Sequence, residues 1–333
     1  MATFFPTVPV NQNQINQSGG LDALILEQFT GEVEHTFVAE SVLSQFFPTK
    51  PVKGTNTLTK KAIGRTKLQK LQRGDAPDGT QVDFSQAKVV VDTTILSRHS
   101  FTELETLQTD IDARKEIAIE QGQEIGEFKD QAIAIQAAKA AAMVNSAYYA
   151  NGKNPEGHFG ATQVVMAAAG DENDPAKLYS KIGNLLRDME LKKVNPRKAG
   201  IVLIVGPAVF YTLQEAEQIV NGEYLTSQGN KLSDIPMFKA WGIPVISTTN
   251  LPDSVISGHL LSNAANSSAY DGDFTTLLAL AVGPKALMLG ETVPLKSHVW
   301  WSDAAKVWFM DSWMAFGVAP DRVEYAGRLD KFS

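Results

Sequence analysis

The feature that most constrains this chain is a helical pattern of about 40 residues, 110–149, with no proline to interrupt it. At ~1.5 Å per residue such a helix reaches roughly 60 Å, more than the width of an ordinary domain. One compact core cannot wrap a rod of that length, so it is expected to run through the molecule as a spine. Thr109 or Asp110 can cap its start, and acids crowd its first turns, where the helix dipole favours negative charge. Ile117, Ile125, Phe128, Ala132 and Ile135 approximate one apolar stripe, and the later half, AIAIQAAKAAAMV, suits burial. Gly122 and Gly126 stand one turn apart on the half expected to be exposed. Each costs about 1 kcal/mol against alanine, which close approach of another backbone would offset.

Ahead of the spine, residues 1–20 are rich in Asn, Gln and Pro and cannot build a core, so they read as an arm. LDALILEQFTGEVEHTFVAESVL then predicts a short helix that stops near Gly31. Beyond Pro48 and Pro51 the stretch 53–70 is polar, β-branched and basic. Gly74-Asp75 and Asp78-Gly79 are turn signals, and AKVVVDTTILSRHSF predicts a strand. Together these make a long two-stranded excursion. A lone hairpin is marginal in water, so this one is expected to lie on a neighbouring molecule.

After the spine, Asp174-Pro175 is an N-cap followed by proline at the first helical position, and Leu178, Ile182, Leu185, Leu186 and Met189 trace one helical face. Asn195-Pro196 ends that helix. GIVLIV, WGIPVIS and TLLALAV read as core strands, and Gly206-Pro207 opens a short helix carrying Phe210, Tyr211 and Leu213. The polar stretch SNAANSSAYDGD is expected to be an exposed loop. Around Ser302-Asp303-Ala304, two alternating runs predict an antiparallel pair that packs back on the spine. With 333 residues, two or more lobes are expected.

Charge is distributed unevenly. Residues 50–74 hold Lys50, Lys53, Lys60, Lys61, Arg65, Lys67, Lys70 and Arg73 and no acid, leaving −15 for the rest of a chain whose formal total is −7. Segment 103–130 carries nine acids, among them Glu116, Glu120, Glu124 and Glu127, against three bases. A basic strip and an acidic strip on one polypeptide suit contacts between copies. The candidate contact residues are Lys53, Lys60, Lys61, Arg65, Lys67, Lys70 and Arg73 on one side, and those four glutamates on the other. The strip could instead grip phosphates, with strong salt dependence, but it has no aromatic residue for base stacking.

Chemistry-bearing motifs are missing. There is no cysteine, which excludes disulfide scaffolds, thiolate zinc sites and thiol nucleophiles. His35, His99, His158, His259 and His298 are scattered without ligand spacing, and no phosphate-binding glycine loop or nucleophile elbow occurs. No catalytic residue, metal or cofactor is expected. No run approaches 18 apolar residues, so no membrane span is expected, and MATFFPTVPVNQNQ has no secretory pattern.

The order of parts resembles the α+β Hong Kong 97-like head-protein fold of tailed phages, which encapsulins share. Several stretches resemble capsid proteins of the T-seven group of short-tailed phages: LILEQFTGEVEHTFVAESVL, AIGRTKLQKLQRGD, DIDARKEIAIEQGQEIGEFKDQAIA, GIVLIVGPAVFYTL and FKAWGIPVISTTNLP. The resemblance implies an N-terminal arm at 1–45 and an extended loop at 46–90. It implies a peripheral domain at 91–195 and 291–333 holding the spine, and an axial domain at 196–290. It also implies a major capsid protein forming pentamers and hexamers around packaged double-stranded DNA. A separate scaffolding protein, a portal protein and a decoration protein are the implied partners, and the virion capsid, assembled in the host cytoplasm, is the implied location. Some relatives cross-link covalently through Lys and Asn; no such set is matched here. The competing expectations are an encapsulin-type compartment and a nucleic-acid-binding protein using 50–74. A hydrolase ranks last, for want of a nucleophile–base pair.

Overall fold

The structure, a computed structural model, describes residues 29–37, 43–66, 68–70, 79, 82–102, 113–216 and 238–332. In chain order the helices are α1 (29–37), α2 (Ala113–Ala142), α3 (Pro175–Leu191) and α4 (Pro207–Gln214). The strands begin with β1 (Thr49–Pro51), β2 (Thr57–Ile63), β3 (Phe84–Val90) and β4 (Ile95–Thr102). In the middle of the chain come β5 (Thr162–Val165), β6 (Val202–Val205), β7 (Phe238–Ala240), β8 (Ile243–Ser247), β9 (Val255–Ile256) and β10 (Gly272–Asp273). Last are β11 (Leu277–Val282), β12 (Leu287–Ser302), β13 (Val307–Pro320) and β14 (Ala326–Asp330). The arm expected at 1–20 lies outside the described residues.

The chain packs as two compact units, one formed by 1–42, 92–130 and 292–316, the other by 43–91, 131–291 and 317–333. This division cuts α2 between Asp130 and Gln131, whereas the resemblance keeps all of it in one peripheral domain.

In the first unit, β13 pairs antiparallel with β4, from Val307 opposite Thr102 to Met314 opposite Ile95. One face of this sheet meets helices. Phe29 and Val33 of α1, Ala118 of α2 and Met310 of β13 form its core, with Phe101, Leu295 and Val299 packed around them. That anchoring explains why α1 runs through Gly31 to residue 37 instead of stopping there: burial of Phe29 and Val33 outweighs one helical glycine. Gln121 of α2 is buried and satisfied three times: its amide donates to the Met310 carbonyl at 3.0 Å and meets His99 Nδ1 at 3.0 Å, and it accepts from Ser312 Oγ at 2.6 Å. The returning strands thus pack on the spine as the alternation predicts.

Gly122 is buried, not exposed as expected. A Cβ there would stand 2.8 Å from the Val33 carbonyl oxygen and 2.8 Å from Thr36 Cβ, so its bare backbone is what lets α1 cross α2 closely. Gly126 is buried as well.

In the second unit a six-stranded sheet has the order β5-β14-β11-β6-β8-β7, with β6 parallel to β8 and β14 parallel to β5. β6 and β11 are buried along their whole length, as continuous apolar runs require. Asp174 caps α3 by accepting from the main-chain N–H groups of Ala176 and Lys177, and the face from Leu178 to Met189 packs on the sheet. In α4, Phe210 and Leu213 face this core while Tyr211 is exposed. Almost every residue of α2 from Ala132 to Ala141 is buried. The polar stretch 262–273 is not a free loop. Gln136 and Lys139 both donate to the Ala269 carbonyl at 2.8 Å, and buried Tyr270 bonds the main chain of Val318.

The helix α2 has 30 residues, roughly 45 Å, and ends seven residues before the expected position. Ser146 is held by Asn154 Oδ1, and Ala161 donates to the Met143 carbonyl at 2.9 Å, so the chain folds back across the helix end. Gly160 makes this possible, since a Cβ there would fall 1.8 Å from the Val144 carbonyl oxygen.

Candidate assembly surfaces

The hairpin of β2 and β3 runs in register from Thr57 opposite Val90 to Ile63 opposite Phe84. The strand expected as one run over 87–101 is two: β3 serves the hairpin, and after 91–94 the chain changes sheet as β4. The expectation of a hairpin dependent wholly on a neighbour is corrected. Ala87 and Val89 form a small core with Tyr148 and Met288 of the same unit, joined by Leu58, Ala62 and Ala319. Ser85 Oγ donates to the Tyr148 carbonyl at 2.6 Å, and Lys153 pairs with Asp83 at 2.9 Å. Large apolar side chains are uncovered at the outer end: the cross-strand partners Ile63 and Phe84 are 60% and 74% exposed, and Leu68 is fully so.

The basic strip divides. Lys60 is ion-paired with Asp321 of its own unit, and Asp321, nearly fully buried, also accepts from Tyr148 Oη. Burial, followed by this bond to a carboxylate, pushes the Tyr148 phenol well above its ordinary value. Lys53, Lys61, Arg65 and Lys70 are exposed. Lys67 and Arg73 lie outside the described residues. On α2, Glu116, Glu120, Glu124 and Glu127 are all exposed, and their spacing of four, four and three residues puts them on one face. Among the described residues none of the four is ion-paired.

Beside the outer end of the hairpin lies a cleft of about 570 Å³ that no local sequence signal announced. The main-chain N–H of Arg65 donates to the Glu156 carbonyl at 2.6 Å and positions one wall. Arg65, Lys192, Lys193 and Arg322 line it together with Glu156 and Glu324, and Ile63 and Phe159 add apolar rims. Lys192 donates to the carbonyls of Gly160 and Ala161, and burial lowers its pKa. Arg322 Nε binds Glu324 Oε1, while Glu324 Oε2 is buried with no partner among the described residues. His158 is buried beside it, edge-on to Tyr148 at 5.3 Å between ring centroids. The ring donates to the Ile63 carbonyl, and among the described residues its Nδ1 has no partner, so Nε2 carries the proton and Nδ1 is an acceptor. Burial foremost, then the Arg322 charge, lowers the His158 pKa.

The first unit carries a second polar cluster. Arg98 holds Asp311 through two bonds of 2.6 and 2.7 Å, and Trp300 Nε1 donates to the same carboxylate at 3.0 Å. Burial alone would raise the Asp311 pKa, but these donors outweigh it and leave it lowered. Trp300 and Phe309 stack at 4.7 Å with the Arg98 guanidinium over both rings. Among the described residues no three metal-ligating side chains come together, and no helix is long and apolar enough to cross a membrane.

A family model described as phage capsid protein matches residues 97–328. The fold is similar to the capsid of the cyanophage P-SCSP1u, with a TM-score of 0.73 over 88% of both chains at 16% identity. It is similar to the mature capsid of bacteriophage PhiM1, also at 0.73 and 16%, over 88% of this chain and 87% of that one. A virus-like particle from Pyrococcus furiosus is more distant, at 0.55 and 11%, over 91% and 98% of the two chains. No curated protein matches. The architecture is therefore the α+β Hong Kong 97-like capsid fold.

Proposed function

The chain belongs to the phage capsid protein family, and from that premise we propose that it is the major capsid protein of a short-tailed phage, closing as pentamers and hexamers around double-stranded DNA. The observation that carries this reading is the uncovered outer end of the β2–β3 hairpin. Ile63, Phe84 and Leu68 leave water only if another molecule covers them. The domain roles belong to the same proposal: arm 1–45, extended loop 46–90, peripheral domain 91–195 with 291–333, and axial domain 196–290. So do a separate scaffolding protein, a portal protein, a decoration protein and assembly in the bacterial cytoplasm.

Strength comes from apolar burial repeated at several interfaces per subunit, each weak enough for errors to dissolve. Exposed ion pairs contribute about 0–1 kcal/mol each, so the basic strip and the α2 glutamates set register more than strength. The experiment is expression with the scaffolding protein followed by negative-stain microscopy. Closed shells are expected from the natural sequence, and few from the double variant Arg65→Glu, Lys67→Glu. Normal shells from that variant at ordinary salt end the charge-docking part. A protein that stays monomeric with its scaffold ends the capsid reading.

A further inference from the structure

We propose that the cationic cleft beside the outer end of the hairpin receives the glutamate face of α2 from a second copy, so that copies join head to tail through unlike units. The inference rests on the capsid reading and names a contact within it. Its ground is the division of charge between the two compact units. The first unit, 1–42, 92–130 and 292–316, holds 17 Asp and Glu against 6 Lys and Arg, which is −11. With −7 for the whole chain, the second unit is left with +4. Two first units repel each other, whereas a first and a second attract. A contact between unlike surfaces repeats from copy to copy until a ring closes.

On the receiving side, Arg65 and Lys193 line the cleft, are exposed, and have no ion-pair partner among the described residues. Lys192 gives its ammonium to the Gly160 and Ala161 carbonyls, which fix its position without cancelling its charge. Arg322 is already committed to Glu324. Only Arg65 belongs to the basic strip of the sequence; Lys192 and Lys193 follow the end of α3 and reach the same cleft through the fold. On the entering side, Glu116, Glu120, Glu124 and Glu127 share one exposed face of α2, and among the described residues none is ion-paired. The undescribed parts of that unit, 1–28, 38–42 and 103–112, contain no lysine or arginine, so they cannot neutralise the face. Carboxylates bond arginine and lysine roughly twice as strongly as neutral acceptors do. A helix sets residues four apart about 6 Å from one another, so neighbouring glutamates can meet neighbouring cations. Ile63 and Phe159, 60% and 36% exposed at the rim, add apolar contact. A nucleic-acid strand is the poorer occupant, because every copy sets a unit of −11 against it.

The natural absence of cysteine makes the test clean. Two single variants, Glu120→Cys and Lys193→Cys, are co-assembled with the scaffolding protein and treated with a short bismaleimide. Only a contact between different copies can join the two. A second mixture, Glu124→Cys with Arg65→Cys, covers a shift in register. The expected result is a dimer band on a denaturing gel from each mixture and from neither variant alone. Shells that form from both mixtures and give no such dimer overturn the proposal and leave the capsid reading standing. That is also the outcome if nucleic acid or solvent anions fill the cleft. If the cysteine variants build no shells, charge reversal decides. Glu120→Lys and Lys193→Glu are each expected to lower the yield of shells several-fold, and the two together in one chain to restore it. Single reversals that assemble normally, or a double reversal that recovers nothing, overturn the proposal. A natural chain that builds no shells with its scaffold sinks both readings.

Discussion

Lys60 of the hairpin is ion-paired with Asp321, 261 residues further along the chain, so the element expected to rest on a neighbour is first fastened to its own subunit. Asp321 is almost wholly buried and serves Tyr148 as well, while Lys60 remains partly exposed. The two substitutions are therefore unequal. Asp321→Ala strands the Tyr148 hydroxyl and is expected to cost about 1–3 kcal/mol. Lys60→Ala should cost less than about 1 kcal/mol. Urea unfolding of the unassembled subunit measures both, and equal losses would contradict the assignment of Asp321 as the shared acceptor.

Gly122→Ala sets helix propensity against packing. Alanine gains about 1 kcal/mol in a helix, yet its methyl meets the Val33 carbonyl at 2.8 Å. Overpacking of that kind costs about 1–3 kcal/mol. A net loss of stability is expected, whereas Glu124→Ala on the exposed face should change stability by no more than about 0.5 kcal/mol. A more stable Gly122→Ala protein would show that α1 does not cross there.

Gly160→Ala is expected to prevent folding, because no rotamer relieves a Cβ placed 1.8 Å from a main-chain oxygen. Gly152→Ala is the comparison. Gly152 has a φ of 78° and open space around it, so only the left-handed conformation is penalised, at about 1 kcal/mol. Soluble yield and melting temperature distinguish the two, and a soluble, cooperatively melting Gly160→Ala protein would refute the close approach.

Acid should weaken the packing at the outer end of the hairpin. His158 is held neutral by burial and by Arg322, against the opposing pull of Glu324, the Ile63 carbonyl and Asp321. Its folded pKa is below the ordinary 6.5, so the unfolded chain takes up the proton first as pH falls. Stability is whole above 6.5 and declines from there down to the folded value. His259 is depressed by burial too and contributes in the same direction. Melting temperature against pH is expected to fall less steeply below 6.5 for His158→Gln than for the natural protein. Parallel curves would place His158 outside the linkage.

Much of the fold was legible because it is written in short-range chemistry. The Asp174-Pro175 start of α3, its apolar face, the runs that became β6, β8 and β11, and the paired strands β12 and β13 all depend on residues a few positions apart. The resemblance supplied their arrangement. Of the candidate contact residues, Lys53, Lys61, Arg65, Lys70 and the four glutamates of α2 are exposed as a contact surface requires, but exposure names no partner.

What the sequence alone determined was which segments are helical, extended or apolar, since periodicity and turn chemistry act within a few residues. Tertiary structure alone decided where α2 stops, which glycine admits α1, and what covers the inner face of the hairpin. It also assembled Lys60, Tyr148 and Asp321 around one carboxylate, and His158, Lys192 and Glu324 around one cleft. The physical reason is that a local pattern encodes whether a side chain is buried, whereas the identity of its partner depends on chain crossings between segments far beyond the reach of a single turn or strand pair.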